Sequence, residues 1–207
     1  MDVPMDSLVL ENHKRYLERK AVYQENGYDI DKERAFIIEK ARPISGRILE
    51  AGTGKGYFTM ALAREGFDFT SFDISETEQN YARLNLIYYG LEHHVQFHIA
   101  NAERLFYEDA SFDVIFAINM VHHLASASKV CEEFIRVLSP SGKMILSDFN
   151  TNGLTIINRI HALEGRCHEV GASTLQDIER LLIERKFQTQ WHHGDNQDIL
   201  IACRGNI

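Results

Sequence analysis

The chain has 207 residues, 44% of them hydrophobic and 25% charged, which is enough apolar material for one ordinary globular core without disulfide or metal staples. Its formal net charge of −8 leaves no overall basic footprint for a phosphate backbone, which argues against a nucleic-acid partner. Cys131, Cys167 and Cys203 are far apart and form no CxxC pair, and no apolar run approaches the ~20 residues that span a bilayer, so a soluble cytoplasmic protein with reduced thiols is expected.

In chain order, residues 6–42 are predicted helical in at least two pieces, broken near Glu25-Asn26-Gly27 and ended by Pro43 and Gly46. Arg47–Glu50 is a short apolar strand and Tyr57–Arg64 a helix. Phe67–Phe72 is a second strand ending at Asp73, and Glu76–Tyr89 a helix with Tyr81, Leu84, Ile87 and Tyr88 at helical spacing. Val95–Ile99 and Phe112–Ile118 are strands three and four, the latter apolar enough for the middle of a sheet. A helix carrying Val130, Phe134, Val137 and Leu138 stops at a turn, Ser139-Pro140-Ser141-Gly142, before strand five at Lys143–Ser147. Ser173-Thr174-Leu175-Gln176 has the form of a capping box ahead of a helix, and Phe187–Trp191 and Ile199–Cys203 are closing strands around Gly194-Asp195-Asn196. This alternation predicts an α/β fold with a mostly parallel, doubly wound sheet. Its ligand belongs beyond the carboxyl ends of the strands, where the strand order reverses.

The segment after strand one, Glu50-Ala51-Gly52-Thr53-Gly54-Lys55-Gly56, carries three alternate glycines. A P-loop needs GxxxxGK followed by Ser or Thr, but Lys55 is followed by Gly56. A dinucleotide loop needs GxGxxG, and the third position is Tyr57. The observed spacing resembles the first motif of the class I S-adenosylmethionine-dependent methyltransferases, in which a loop free of Cβ atoms lets backbone pass close to a ligand. Three further elements extend the resemblance over roughly residues 45–150. Asp73 stands where the family places a carboxylate on both ribose hydroxyls, with Ile74 against the adenine. Ala100-Asn101-Ala102-Glu103 stands where the family has Gly-Asp-Ala-Glu; the Asn101 amide can accept from the adenine amino group and donate to a ring nitrogen. Asn119-Met120-Val121-His122-His123-Leu124 resembles the exit from strand four, which approaches the methionine portion.

The resemblance implies a seven-stranded, three-layer αβα sheet with an antiparallel last strand. It also implies S-adenosylmethionine as cofactor, S-adenosylhomocysteine as product, and methyl transfer to a small or medium-sized acceptor. Nucleic-acid or protein methylation, or a non-catalytic cofactor sensor, are the alternatives. Expected cofactor residues are Glu50, Ala51, Gly52, Thr53, Gly54, Gly56, Asp73, Ile74, Asn101, Ala102, Asn119 and Met120. Glu50 is equally readable as a structural acid beneath the turn. His122 and His123 are the catalytic candidates, as general base or as pocket wall. His93, His94, His98, His192 and His193 lack convergent carboxylates and suggest no metal. The long connection 149–172 reads as a lid, with Ile156, Ile157 and Ile160 on a short helix. Asp148, His161, Cys167 and His168 are candidates to meet the acceptor. One domain is expected: a helical cap over 1–44, a cofactor core over 45–148, the lid over 149–172 and closing elements over 173–207. The sequence leaves acceptor and oligomeric state open.

Overall fold

The computed structural model describes residues 6–165, 171 and 173–205. Helices α1 (Ser7–Glu25) and α2 (Ile30–Ala41) come first, each started by an aspartate whose carboxylate accepts a backbone N–H of the first turn, Asp6 from Leu8 and Asp29 from Lys32. Strands and helices then alternate: β1 (Ile48–Ala51), α3 (Tyr57–Arg64), β2 (Phe69–Asp73), α4 (Glu76–Tyr89), β3 (Val95–Ile99), β4 (Phe112–Ile118), α5 (Ala127–Val137) and β5 (Leu138–Phe149). The chain closes with α6 (Thr151–Leu163), α7 (Leu175–Glu184), β6 (Gln188–His193) and β7 (Gln197–Cys203).

The strands form one seven-stranded sheet in the order β3-β2-β1-β4-β5-β7-β6. Strands β1 to β5 pair in parallel, and β7 runs antiparallel to both its neighbours, so the expected doubly wound sheet with an antiparallel last strand is what the chain forms. The strand order reverses between β1 and β4. The period-two alternation of β4 builds both layers of core. Val114, Phe116 and Ile118 face α2 and α3 with Ile37, Phe58 and Leu62, whereas Ile115 and Ala117 face α5 and α7 with Val130, Phe134 and Ile178. A third apolar cluster, Tyr28, Ile30 and Ile157, lies where α6 meets the α1–α2 turn. Among the described residues no helix is long and apolar enough to cross a membrane.

Three local readings need correction. The capping box sits one residue later than expected: the Thr174 hydroxyl accepts the Asp177 N–H (3.2 Å) and the Asp177 carboxylate accepts the Thr174 N–H (3.0 Å). A carboxylate serves the positive helix start better than the Gln176 amide, and the Ser173 hydroxyl turns away to Leu124 O. The Ser139–Gly142 turn is absorbed into β5. Leu138 already pairs with Phe112, and the register jumps so that Val114 pairs with Lys143. Such an irregularity is where a strand tolerates Pro140, which has no N–H to give. Finally, β7 begins at Gln197, two residues before its apolar run. The segment after β5 does contain a helix, α6, with Ile157 and Ile160 buried and Asn150 capping its start.

Candidate active site

At the carboxyl ends of β1, β2, β3 and β4 lies a cavity of about 570 Å³ lined by Gly52 and Gly54, Phe72, Asp73 and Ile74, Glu78, residues 100–103, Asn119, Met120, residues 123–125 and Val130. It occupies the point where the strand order reverses, where open α/β sheets bind ligands. Of the twelve residues expected around a cofactor, eight line this cavity: Gly52, Gly54, Asp73, Ile74, Asn101, Ala102, Asn119 and Met120. Glu50, Ala51, Thr53 and Gly56 do not line it; they lie beneath the loop or beside it.

The three glycines differ in purpose. All have positive φ, but a Cβ on Gly56 would overlap Ala82 of α4, and one on Gly52 would meet Met120 at 3.4 Å. A Cβ on Gly54 would meet nothing within 4 Å. Gly56 therefore serves helix packing, while Gly54 leaves the cavity floor bare. The Asp73 carboxylate ties the loop down, accepting the Gly54 N–H (2.7 Å) on one oxygen and the Ser75 N–H (2.8 Å) on the other. Each oxygen keeps a lone pair for a further donor. Asn101 accepts the Glu103 N–H (2.8 Å) through its side-chain oxygen, and Ile74 stands at the rim, 71% exposed.

Glu50 is the foundation of the loop. Its buried carboxylate accepts the Thr59 hydroxyl (2.8 and 3.0 Å) and the Ser71 hydroxyl (2.6 Å). The Ser71 proton is thereby committed, so Thr53 donates to Ser71 (2.6 Å), and Thr53 in turn accepts from the Gln79 amide (3.2 Å). Burial pushes the Glu50 pKa up to about 7, against the opposing hydrogen bonds from Ser71 and Thr59.

The two histidines leaving β4 face different spaces. His123 lines the 570 Å³ cavity, whereas His122, buried, lines a neighbouring cavity of about 290 Å³ with Asp148, Phe149, Thr151, Leu154 and Leu175. His122 Nδ1 lies 2.5 Å from Asp148 Oδ1, and the His122 backbone N–H donates to Asp148 Oδ2 at 2.9 Å. An ionised carboxylate only accepts, which places the ring proton on Nδ1 and makes Nε2 the basic nitrogen. His161 is on α6 and lines neither cavity; Cys167 and His168 lie outside the described residues. No group of three metal-ligating side chains forms among the described residues.

A family profile described as a methyltransferase domain matches residues 49–146, which hold the glycine loop, Asp73, Asn101 and Asn119. Over these residues the chain is similar to the class I S-adenosylmethionine-dependent methyltransferases. The chain is 32% identical over 134 residues to the methyltransferase GfsG of Streptomyces halstedii, covering 64% of this chain and 48% of that protein. It is 32% identical over 115 residues to a ubiquinone biosynthesis O-methyltransferase of Xylella fastidiosa, covering 55% and 46%. The chain thus spans about half the length of the curated relatives it matches. The crystal structure of a putative S-adenosyl-L-methionine-dependent methyltransferase from Methanococcus maripaludis superposes with a TM-score of 0.70 at 17% identity, covering 100% of this chain and 98% of the other.

A buried polar network absent from the sequence-based expectations lies under Asn119. Arg34 of α2 is 6% exposed, and its Nη1 reaches Tyr28 Oη (3.3 Å) and Gln197 Oε1 (3.2 Å). Its Nε has no hydrogen-bond partner, and no carboxylate lies within ion-pair distance of it among the described residues. A signal for it does exist in the sequence. Ile30, Arg34, Ile37 and Ala41 recur at the spacing of one helix face, so a cation stands at a core position.

Proposed function

We propose that this chain transfers a methyl group from S-adenosylmethionine to a small-molecule acceptor, a hydroxyl compound by preference. The observation that carries the reading is the convergence of Gly52, Gly54, Asp73, Asn101, Ala102 and Asn119 on one cavity at the reversal of strand order. The donor set suits this cofactor. Asp73 keeps lone pairs for a diol, the Asn101 amide is at hand for an adenine edge, and the open face of Gly54 admits close backbone approach.

When bound, the cofactor supplies a methyl carbon already activated by a sulfonium. The chain's own contribution is alignment and removal of the acceptor's proton. His122, oriented by Asp148 through Nδ1, would receive that proton at Nε2. The 290 Å³ cavity beside His122 suits the acceptor, and the name of the Xylella relative supports a hydroxyl as the receiving group. Calorimetry with S-adenosylmethionine and S-adenosylhomocysteine tests the cofactor, and transfer of labelled methyl into a metabolite extract tests the reaction. Asp73→Ala is expected to weaken S-adenosylhomocysteine binding at least about tenfold, since it removes both the loop tie and the diol acceptor. Unchanged affinity in that variant removes the ribose assignment.

A further inference from the structure

Asn119 leaves β4 in the left-handed region, φ 55°, one of only three non-glycine residues with positive φ among the described residues. Its N–H is held by Ser147 O at 2.8 Å. Asparagine tolerates this conformation better than most residues, but it still needs outside support. The support comes from β7, the antiparallel strand. Gln197 is 0% exposed, so its amide meets its partners inside the protein. Nε2 donates to Tyr28 Oη (2.7 Å) and to Asn119 Oδ1, while Oε1 accepts from Arg34 Nη1 (3.2 Å); the Ser147 hydroxyl lies 3.2 Å from Oε1 but has a nearer acceptor in Asp198 O at 2.9 Å. Both amide hydrogens of Gln197 are thereby committed.

Resting on the cofactor reading above, we infer that Gln197 is a positioning residue of the cofactor site: it holds Asn119 in its left-handed conformation and ties that conformation to the N-terminal helices through Tyr28 and Arg34. It touches no part of the cavity itself and acts through Asn119, which does. The side chain cannot be replaced by its isostere. A glutamate at this position still accepts from Arg34, but it sets a carboxylate oxygen against Asn119 Oδ1, acceptor to acceptor. The N–H that Tyr28 Oη accepts is lost as well, but the Tyr28 hydroxyl can donate its own proton to the carboxylate, so the contact left unmatched is the one with Asn119.

The test is a double-mutant cycle read as S-adenosylhomocysteine affinity by calorimetry, with thermal unfolding in parallel, on the full chain. Gln197→Glu is expected to weaken binding about tenfold or more, the consequence of one buried acceptor left unmatched. Glycine adopts positive φ without support, so Gln197→Glu added to Asn119→Gly is expected to weaken binding no further than Asn119→Gly alone. Affinity of Gln197→Glu within twofold of the parent, with or without a lower Tm, overturns the inference, as does a penalty that is fully additive in the double variant. If the parent chain binds neither cofactor form, the cofactor reading falls on its own account. The positioning claim is then judged by the crystal structure of Gln197→Glu. An Asn119 that leaves the left-handed region supports it, and one that stays near φ 55° overturns it.

Discussion

Glu50→Gln offers a test of the loop's foundation that requires no ligand. Glu50 is buried with a folded pKa of about 7, against 4.5 for an ordinary glutamate. Between these values the folded chain holds a proton that the unfolded chain has released. Stability from this group is therefore fully present below pH 4.5 and is lost as pH rises through 7, at about 1.4 kcal/mol per pH unit in between. From pH 5 to pH 8 the loss amounts to about 2.5 kcal/mol, or about 5–10 °C in Tm for a domain of this size. The amide that replaces the carboxyl in the variant accepts hydroxyls through its oxygen and has no charge to desolvate, so this component of the pH dependence vanishes. Tm is measured for both proteins at half-unit steps from about pH 5 to 8, the window set by the two pKa values. The expected result is a parent curve that falls relative to the variant's across this range. Curves that run parallel refute the argument, because they mean Glu50 ionises in the folded protein much as it does in water.

The glycines separate by readout. Gly56→Ala drives a methyl into Ala82 at positive φ and is expected to cost about 1–3 kcal/mol of stability, visible as a lower Tm. Gly54→Ala meets no neighbour and carries only the strain of its φ of 50°, so it is expected to lower Tm less than Gly56→Ala while weakening S-adenosylhomocysteine binding more; equal effects of the two variants on both measurements contradict the assignment. Asp148→Asn and His122→Asn are expected to lower kcat by about 10²–10⁴ while leaving S-adenosylhomocysteine affinity within a few-fold, once labelled transfer has revealed an acceptor. A loss of affinity with kcat retained would move His122 from proton transfer to the pocket wall.

Much of this molecule is local and therefore legible in the sequence. The bounds of α4, β3 and β4 agree with the sequence, but of the expected α4 face only Leu84 is buried. The helix turns Gln79, Ala82, Asn85 and Leu86 inward and leaves Ile87 exposed, because α1 packs across it and changes which side is covered. The glycine loop, Asp73, Asn101 and Asn119 are legible because each lies at the end of a strand, and a parallel sheet brings strand ends together. Thr174 and Asp177 displaced the expected cap because two overlapping boxes fit the sequence and the charge decided between them.

Tertiary structure alone decided matters that depend on which way a side chain leaves its element. Glu50, one residue from the loop on paper, turns inward to Thr59 and Ser71. His122 and His123 are neighbours in sequence but line separate cavities, since successive side chains leave a turn in different directions. Gln197 and Arg34 are 163 positions apart, and nothing in either neighbourhood announces the other. Pairing in the antiparallel strand and docking of α2 bring them under Asn119. A buried polar group is stable only where distant donors and acceptors meet it, and that meeting is a property of the folded chain.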